Sequence, residues 1–149
     1  MRILINPTQM SFKFRVPDLP ASEGIQKGKG FSRGWHHWNS VRLGFNRSEG
    51  SEYVRLFLYG YYKGKQTSHT IVGLFEPNQT LHAHIFWNEN YKATIELFDT
   101  DGDFKGSADM LTPKSTLPLG YELNPYAEVD GETNERIDFK FEYWDLKIK

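Results

Sequence analysis

The sequence predicts an all-β protein folded as a two-sheet antiparallel jelly-roll sandwich. The composition favours strands, because 23 of the 149 residues are aromatic and β-branched residues are plentiful, while alanine occurs only five times. Thirteen glycines and seven prolines divide the chain into short segments. Apolar and polar residues alternate within these segments, and roughly seven to nine strands about 8–12 residues apart are typical of a sandwich. We expect residues 1–149 to form one such domain.

The first third of the chain contains two alternating segments and one glycine-rich segment. Apolar side chains alternate with basic ones over residues 12–16, which predicts a strand that Pro17 ends. Residues 21–34 contain four glycines and are predicted to form a loop. The alternation resumes over residues 41–45, which predicts a second strand.

Residues 53–62 carry the strongest strand signal in the chain. One face of this segment presents aliphatic side chains from residue 54 onward, and the other presents aromatic side chains that include Tyr59 and Tyr61. A strand with two apolar faces is covered on both sides. We therefore expect this segment to be a central strand.

The remaining chain supplies three more predicted elements. Residues 70–75 form a strand, and residues 81–86 and 91–97 form a hairpin around a short turn. In the C-terminal run, the apolar residues change from odd to even positions at Tyr143 and Trp144. A β-bulge near these two residues would let both sets face inward.

Composition and charge exclude several kinds of protein. The chain has no cysteine, which removes disulfide scaffolds, thiolate metal sites and cysteine nucleophiles. No apolar run approaches the roughly 20 residues that span a bilayer, and the first ten residues lack the apolar core of a signal peptide. We therefore expect synthesis in the cytoplasm without membrane insertion. The formal net charge of −1 gives no electrostatic basis for nucleic-acid binding.

Two histidines at alternate positions, His82 and His84, share one face of a predicted strand. With Glu89 they resemble the first metal-binding motif of cupins, which would supply three ligands to an open transition-metal site. The second cupin motif is incomplete, because Leu123 stands where its histidine would be. We therefore expect no metal or other cofactor and interpret both histidines as half-exposed residues of a polar strand face. A cupin-like metal enzyme is the alternative.

Three aspartates at alternate positions, Asp99, Asp101 and Asp103, could converge on a calcium ion. An EF-hand loop would need glycine and glutamate where Phe104 and Met110 stand. The Asp-Gly pair within this segment is a strong hairpin-turn signal. We therefore favour a plain turn and leave calcium binding open.

Aromatic residues give the stronger functional signal. Tyr59 and Tyr61, with Arg42 on a neighbouring strand, would place two rings and a guanidinium on one sheet surface. Such a surface suits the apolar faces of sugars, with hydrogen bonds at their edges. The alternative is that the rings cover a second core or an intersubunit surface. The candidate ligand-binding residues of the concave face are Trp38, Arg42, Tyr59, Tyr61, His82 and His84.

Three stretches carry a family resemblance: residues 29–45 (KGFSRGWHHWNSVRLGF), residues 61–65 (YYKGK) and residues 120–126 (GYELNPY). They resemble small concanavalin A-like jelly-roll proteins that occur in bacteriophages and gut-type bacteria. The resemblance implies two packed antiparallel sheets with a concave face, a fold that hosts lectins, glycanases, lyases and virion proteins. The family's run after the proline is not reproduced at residues 126–129.

The leading functional hypothesis is a non-catalytic recognition module that binds glycans or neighbouring proteins. Those proteins include components of a bacteriophage virion, in which this chain would decorate the capsid or belong to the tail. The first 47 residues carry eight Lys/Arg and two acidic residues, whereas the remainder carries ten and seventeen. Such an asymmetry would favour head-to-tail contacts between copies or docking on a differently charged partner. No complete catalytic constellation is present, so the alternative is a polysaccharide lyase or glycosidase whose candidate residues are His82, His84, Arg42 and Tyr61.

Overall fold

The computed structural model describes residues 2–67, 69–88, 92–125 and 140–149, together with the backbone of residues 129–130 and 135–136. In chain order, the strands of these residues are β1 (Ile3–Ile5), β2 (Gln9–Arg15), β3 (Ser22–Ser32), β4 (Asn39–Arg47), β5 (Val54–Tyr62), β6 (Lys65–Gln66), β7 (Thr70–Phe75), β8 (Thr80–Asn88), β9 (Lys92–Phe98), β10 (Phe104–Met110), β11 (Leu119–Leu123), β12 (Val129–Asp130), β13 (Glu135–Arg136) and β14 (Tyr143–Ile148). The described part of the chain contains no helix, and therefore none long and apolar enough to cross a membrane.

The strands form two large antiparallel sheets. The seven-stranded sheet has the order β1-β11-β3-β4-β5-β6, with β7 also paired to β5, and the five-stranded sheet has the order β10-β9-β8-β2-β14. The short strands β12 and β13 pair with each other. The predicted all-β, two-sheet antiparallel sandwich is confirmed. The strands outnumber the roughly seven to nine expected, because four of them have only two or three residues and β3 lies where a loop is predicted.

A single hydrophobic core fills the space between the two sheets. Phe31 of β3 and Trp87 of β8 meet edge to face across this space, with 5.2 Å between their ring centroids. β2, β4, β5, β8 and β9 contribute alternate residues, as the period of two of a strand requires. The large side chains with no exposed surface include Phe12, Phe14, Leu43, Phe45, Leu56, Leu58, Leu81 and Ile85. Each of these contributes about 1.5–3 kcal/mol of stability through burial.

The prediction of a loop at residues 21–34 is wrong, because this segment contains β3, which at 11 residues is the longest strand among the described residues. Its glycines allow close approach of neighbouring strands instead of a turn. Gly30 faces Arg42 of β4, and a Cβ at this glycine would overlap Arg42 Cβ and the carbonyl oxygen of Val41. The register of β3 against β4 also shifts twice, which explains why the strand lacks a regular apolar alternation.

The predicted strand at residues 53–62 is confirmed as β5, which lies between β4 on one side and β6 and β7 on the other. Its inner side chains enter the core, and on its outer face Phe57 and Tyr59 are also buried. The predicted hairpin is confirmed as β8 and β9, although its turn at residues 88–90 lies largely outside the described residues.

The predicted bulge of the C-terminal strand is confirmed in β14, where the register against β2 shifts between Trp144 and Lys147. Asp145 adopts a positive φ of 53° at this point. As a result, Tyr143 and Leu146 both pack against the core, although they differ in parity. The prediction is wrong for Trp144, which does not turn inward but stays 37% exposed on the outer face. Ile137 and Phe139, which belong to the same predicted set, lie outside the described residues.

A buried lysine links the two sheets at one edge of the sandwich. The side chain of Lys29 on β3 is fully buried and forms an ion pair with Glu122 of β11. Its ammonium also donates hydrogen bonds to Asn124 Oδ1 at 2.9 Å and to the Tyr143 hydroxyl of β14 at 3.1 Å. The ammonium lies 4.5 Å from the centre of the Tyr143 ring, a cation–π distance. These contacts join the edge of β11 to the C-terminal strand.

Candidate functional site

The residues predicted to form one ligand-binding face lie on two opposite faces of the sandwich. Arg42, Tyr59 and Tyr61 alternate with core residues of β4 and β5 and lie on the outer face of the seven-stranded sheet. His82 and His84 alternate with core residues of β8 and lie on the outer face of the five-stranded sheet. Because the core separates these faces, the five side chains cannot contact one small ligand together.

Arg42 lies directly opposite Tyr59, and both side chains are buried. The Arg42 guanidinium donates hydrogen bonds to the carbonyl oxygen of Gly28 at 2.9 Å and to that of Asn124 at 2.8 Å. Lys27 lies over the Tyr59 ring, with its ammonium 4.5 Å from the ring centre. Arg42 therefore fastens the segment after β11 to this sheet face.

A histidine and a tyrosine form a polar pair beside this face. The hydroxyl oxygen of Tyr121 lies 2.7 Å from the backbone nitrogen of His36 and 2.6 Å from His36 Nδ1. The backbone N–H donates to this oxygen, and whether the hydroxyl donates to Nδ1 or accepts from it depends on the tautomer of the His36 ring. Burial lowers the pKa of His36 below its usual 6.5, and the charges of His37 and Arg42 lower it further. His36 is therefore neutral at pH 7.

Two exposed tryptophans belong to the same loop between β3 and β4. Trp35 lies 4.9 Å from the ring of His37, which in turn lies 5.0 Å from that of Tyr61. Trp38, the remaining predicted site residue, lines a cavity of about 320 Å³. The other residues of this lining are Tyr62, Lys63, Lys114, Ser115, Thr116 and Leu117. The Trp-His-His-Trp run is the sequence signal of this cluster, but the sequence does not show that Tyr121 meets it.

The outer face of the five-stranded sheet carries two parallel rows of side chains. The first, which we name the aromatic row, crosses β14, β2, β8 and β9 and consists of Trp144, Lys13, His82 and Phe98. The second, which we name the polar row, crosses the same strands and consists of Lys147, Ser11, His84 and Glu96. Neighbours within a row are about 5 Å apart, and the rows are about 7 Å apart along a strand. The register of the sheet thus brings both predicted histidines beside lysine and aromatic side chains.

Two adjoining cavities follow these rows and share His82. The first has a volume of about 320 Å³ and is lined by Gln9, Ser11, His82, His84, Phe98, Lys147 and Lys149. The second has a volume of about 270 Å³ and is lined by Lys13, Thr80, Leu81, His82, Asp99, Thr100, Gly102 and Trp144. Together they form a groove, which we name the His82 groove, across the outer face of the five-stranded sheet.

The two histidines of the groove have different surroundings. His84 is held by neighbours, since its Nε2 lies 2.9 Å from Gln9 Oε1 and its Nδ1 lies 3.7 Å from Glu96 Oε1. The ring nitrogens of His82 make no hydrogen bond with the residues that the structure describes. Burial lowers the pKa of His82 below its usual 6.5, and the charges of Lys13, His84 and Lys147 add to the effect. His82 is therefore neutral at pH 7 and has a ring N–H to donate.

The three aspartates at one end of the groove form the predicted turn between β9 and β10. Asp99 Oδ1 accepts hydrogen bonds from the backbone N–H groups of Asp101 and Asp103, both at 2.9 Å. These bonds lower the pKa of the Asp99 carboxyl below its usual range. Ligand atoms of all three residues lie within 4.8 Å of one another, and the hydrogen bonds of Asp99 already account for the arrangement. Glu89, the third member of the cupin-like set, lies outside the described residues.

The register and sheet order define a class of fold, the concanavalin A-like jelly-roll sandwich, and solved structures share it. Scytalido-glutamic peptidase, solved with a peptide-based transition state analog, has a TM-score of 0.62 at 12% identity, covering 98% of this chain and 76% of that one. A functionally unknown protein from Saccharomyces cerevisiae also has a TM-score of 0.62, at 10% identity, covering 99% of this chain and 71% of that one.

A third similar structure is SCP-B, a member of the eqolisin family of peptidases, in a complex with the tripeptide Ala-Ile-His. Its TM-score is 0.54 at 11% identity, covering 99% of this chain and 76% of that one. No protein-family model and no curated protein matches the sequence. At these identities the likeness establishes the fold and leaves the function to the residues of this chain.

Proposed function

We propose that this protein is a non-catalytic recognition module that binds a glycan in the His82 groove. The observation that carries the proposal is the pair of adjoining cavities that share His82 and end at the exposed indole of Trp144. Sugars present apolar ring faces and hydroxyl-bearing edges, which need aromatic surfaces beside hydrogen-bonding side chains. The aromatic row and the polar row supply both kinds of contact within about 7 Å of each other.

The geometry favours recognition over the catalytic set expected from the sequence. A lyase or glycosidase that combined Arg42 and Tyr61 with His82 and His84 would need all four around one substrate. These residues lie on opposite sides of the core, and Arg42 is engaged by backbone carbonyl groups. The likeness to glutamic peptidases is one of fold at 11–14% identity and does not bring peptidase activity to this chain.

The test is binding to a panel of immobilised neutral and acidic polysaccharides. We expect retention on at least one polymer and a Kd about tenfold weaker for Trp144→Ala, the size expected for a lost stacking contact. Trp35→Ala is the matched control, because Trp35 is an exposed tryptophan of the opposite sheet's loop. Retention on no polymer, or binding that Trp144→Ala leaves unchanged, would refute the proposal.

A second candidate function is acid–base catalysis on a polysaccharide at the outer face of the seven-stranded sheet. It is favoured by the short hydrogen bond between the Tyr121 phenol and the neutral imidazole of His36. The rings of Tyr61 and His37 lie beside this pair. The test is incubation with uronic-acid polymers while the absorbance of unsaturated products is followed. Product formation abolished by Tyr121→Phe would support this function, and no product from any polymer would reject it.

The virion form of recognition is a further proposal that rests on the sequence resemblance alone. In this form the partners are neighbouring proteins of a capsid or tail, or further copies of this chain. Light scattering of the purified protein tests self-assembly. A particle mass well above 17.4 kDa supports it, and a monomer at all concentrations rejects it.

A further inference from the structure

We infer that the first cavity of the His82 groove receives the acidic group of a saccharide, so that the groove selects acidic over neutral glycans. The inference rests on the proposed function, because it names the class of glycan that the groove takes. The acidic group would lie against Lys147 while a neighbouring sugar ring packs on Trp144.

The first cavity carries positive charge from Lys147 and Lys149, whereas His82 contributes a neutral ring. Its seven side chains include two lysines and two histidines but no aspartate or glutamate. The other lysine of the groove, Lys13, lies 3.1 Å from Asp145 and is therefore already paired. Within the part of the chain that the structure describes, no carboxylate lies within ion-pair distance of Lys147. A ligand that carries its own anion would supply the missing counter-charge.

Neutral donors surround the same space. Ser11 lies directly opposite Lys147 on β2, and its hydroxyl can donate a hydrogen bond. His82 lies where the two cavities meet, with ring nitrogens that the described residues leave unbonded. A carboxylate or sulfate accepts several charge-assisted and neutral hydrogen bonds at once. Lys147, Ser11 and His82 together match that requirement.

The aromatic row explains why the anion belongs to a saccharide and not to a free ion. Trp144 is 37% exposed and lies on the far side of Lys13 from His82. It lines the second cavity, which also contains the acidic Asp99 and so offers no net attraction for an anion. A bare anion would use only the first cavity, whereas an oligosaccharide fills both.

The test compares one saccharide with and without its charge. Titration calorimetry is carried out with tetragalacturonate and with its methyl ester, which has the same chain and no carboxylate. We expect the acid to bind about fivefold more tightly, the upper range for an exposed ion pair. We expect Lys147→Gln to lower the affinity for the acid to that for the ester and to leave the affinity for the ester unchanged. Lys65→Gln, an exposed lysine of the other sheet, is the matched control and should change neither.

Three further arms separate the possible outcomes. Equal affinity for acid and ester, with both weakened by Trp144→Ala, would overturn the acidic preference and leave the proposed function standing. Failure of both saccharides to bind would contradict the proposed function as well. A sulfated chondroitin tetrasaccharide that binds more tightly than the same tetrasaccharide without sulfate, and still depends on Lys147, would support the inference and assign the cavity to sulfate. Tetraglutamate that displaces tetragalacturonate with equal affinity would overturn the assignment to saccharides.

Discussion

Lys13 and Asp145 form an ion pair on the outer face of the five-stranded sheet, with 3.1 Å between Lys13 Nζ and Asp145 Oδ2. The pair exists because β14 bulges at Asp145, which puts this carboxylate beside a strand position that Trp144 already faces. The Asp145 carboxylate neutralises Lys13, the lysine of the aromatic row. The bulge therefore shapes both the aromatic and the electrostatic character of the His82 groove.

Removing this carboxylate should strengthen binding of an acidic saccharide. Asp145→Asn frees the Lys13 ammonium, and asparagine tolerates the positive φ of this position. We expect the Kd for tetragalacturonate to fall about twofold to threefold, in keeping with the small energy of an exposed ion pair. The methyl ester should bind as before. Weaker binding of the acid would contradict the role assigned to Lys13.

Lys29 should be among the most costly residues to truncate. Its buried ammonium is the partner of the Glu122 carboxylate, which is only 11% exposed. Lys29→Ala removes the buried partner of that charge and leaves only the exposed Arg2, whose Nη1 lies 4.0 Å from Glu122 Oε2. We expect a loss of about 3 kcal/mol in the free energy of unfolding by urea. The double variant Lys29→Met with Glu122→Gln removes both charges and should recover most of that loss. Equal losses in the single and double variants would show that the pair is not coupled.

Gly30 should not tolerate a side chain. A Cβ at this position would overlap Arg42 Cβ and the carbonyl of Val41, which cannot move without breaking the pairing of β3 and β4. We expect Gly30→Ala to lower the free energy of unfolding by about 3 kcal/mol. Gly73→Ala is the matched control, because its nearest neighbour would be a Phe75 ring atom at 3.3 Å. Similar stability of the two variants would rule out this packing explanation.

Stability should fall as the pH drops below about 6.5, because two histidines resist protonation in the folded state. The pKa of His36 and that of His82 both lie below the usual 6.5, with burial as the main cause. The unfolded chain therefore binds protons more readily, so the stability these groups supply is complete above pH 6.5 and is lost as the pH falls.

Urea unfolding at pH 7.5 and pH 5.5 measures this effect. The carboxyl groups with lowered pKa values, such as Asp99 and Asp109, titrate below this range and do not contribute to the difference. His82→Asn should reduce the difference in the free energy of unfolding between the two pH values. An unchanged difference would show that His82 is not linked to folding in this range.

Much of the fold follows from local pattern. The period-two alternation at residues 12–16, 41–45 and 81–86 predicts three strands of the core, because burial of one face dictates that pattern. The prediction misses β3 because its glycines are typical of turns, whereas in the structure Gly30 allows Arg42 of the neighbouring strand to lie close to it. Whether a glycine forms a turn or allows a neighbouring strand to approach depends on that strand, which the local sequence does not specify.

The candidate site follows from the sequence only in part. The sequence places Arg42 and Tyr59 on neighbouring strands without fixing their register, and in the structure they lie opposite each other on β4 and β5. The sequence does not tell which sheet receives His82, because alternation fixes the face of a strand and not its sheet. The place of Trp144 in the aromatic row depends on the pairing of β14 with β2, which lie near opposite ends of the described chain, and on the bulge in β14. Those are long-range features, which the pattern of a single sequence does not determine.

The location of bound saccharide tests the account most directly. A ¹H–¹⁵N NMR titration with tetragalacturonate reports which backbone amides change as the ligand binds. We expect the largest shifts at Lys13, His82 and Trp144, with the Trp144 indole N–H among them. Shifts concentrated instead at His36 and Tyr61, with the His82 groove unaffected, would place the ligand on the opposite sheet and contradict the account.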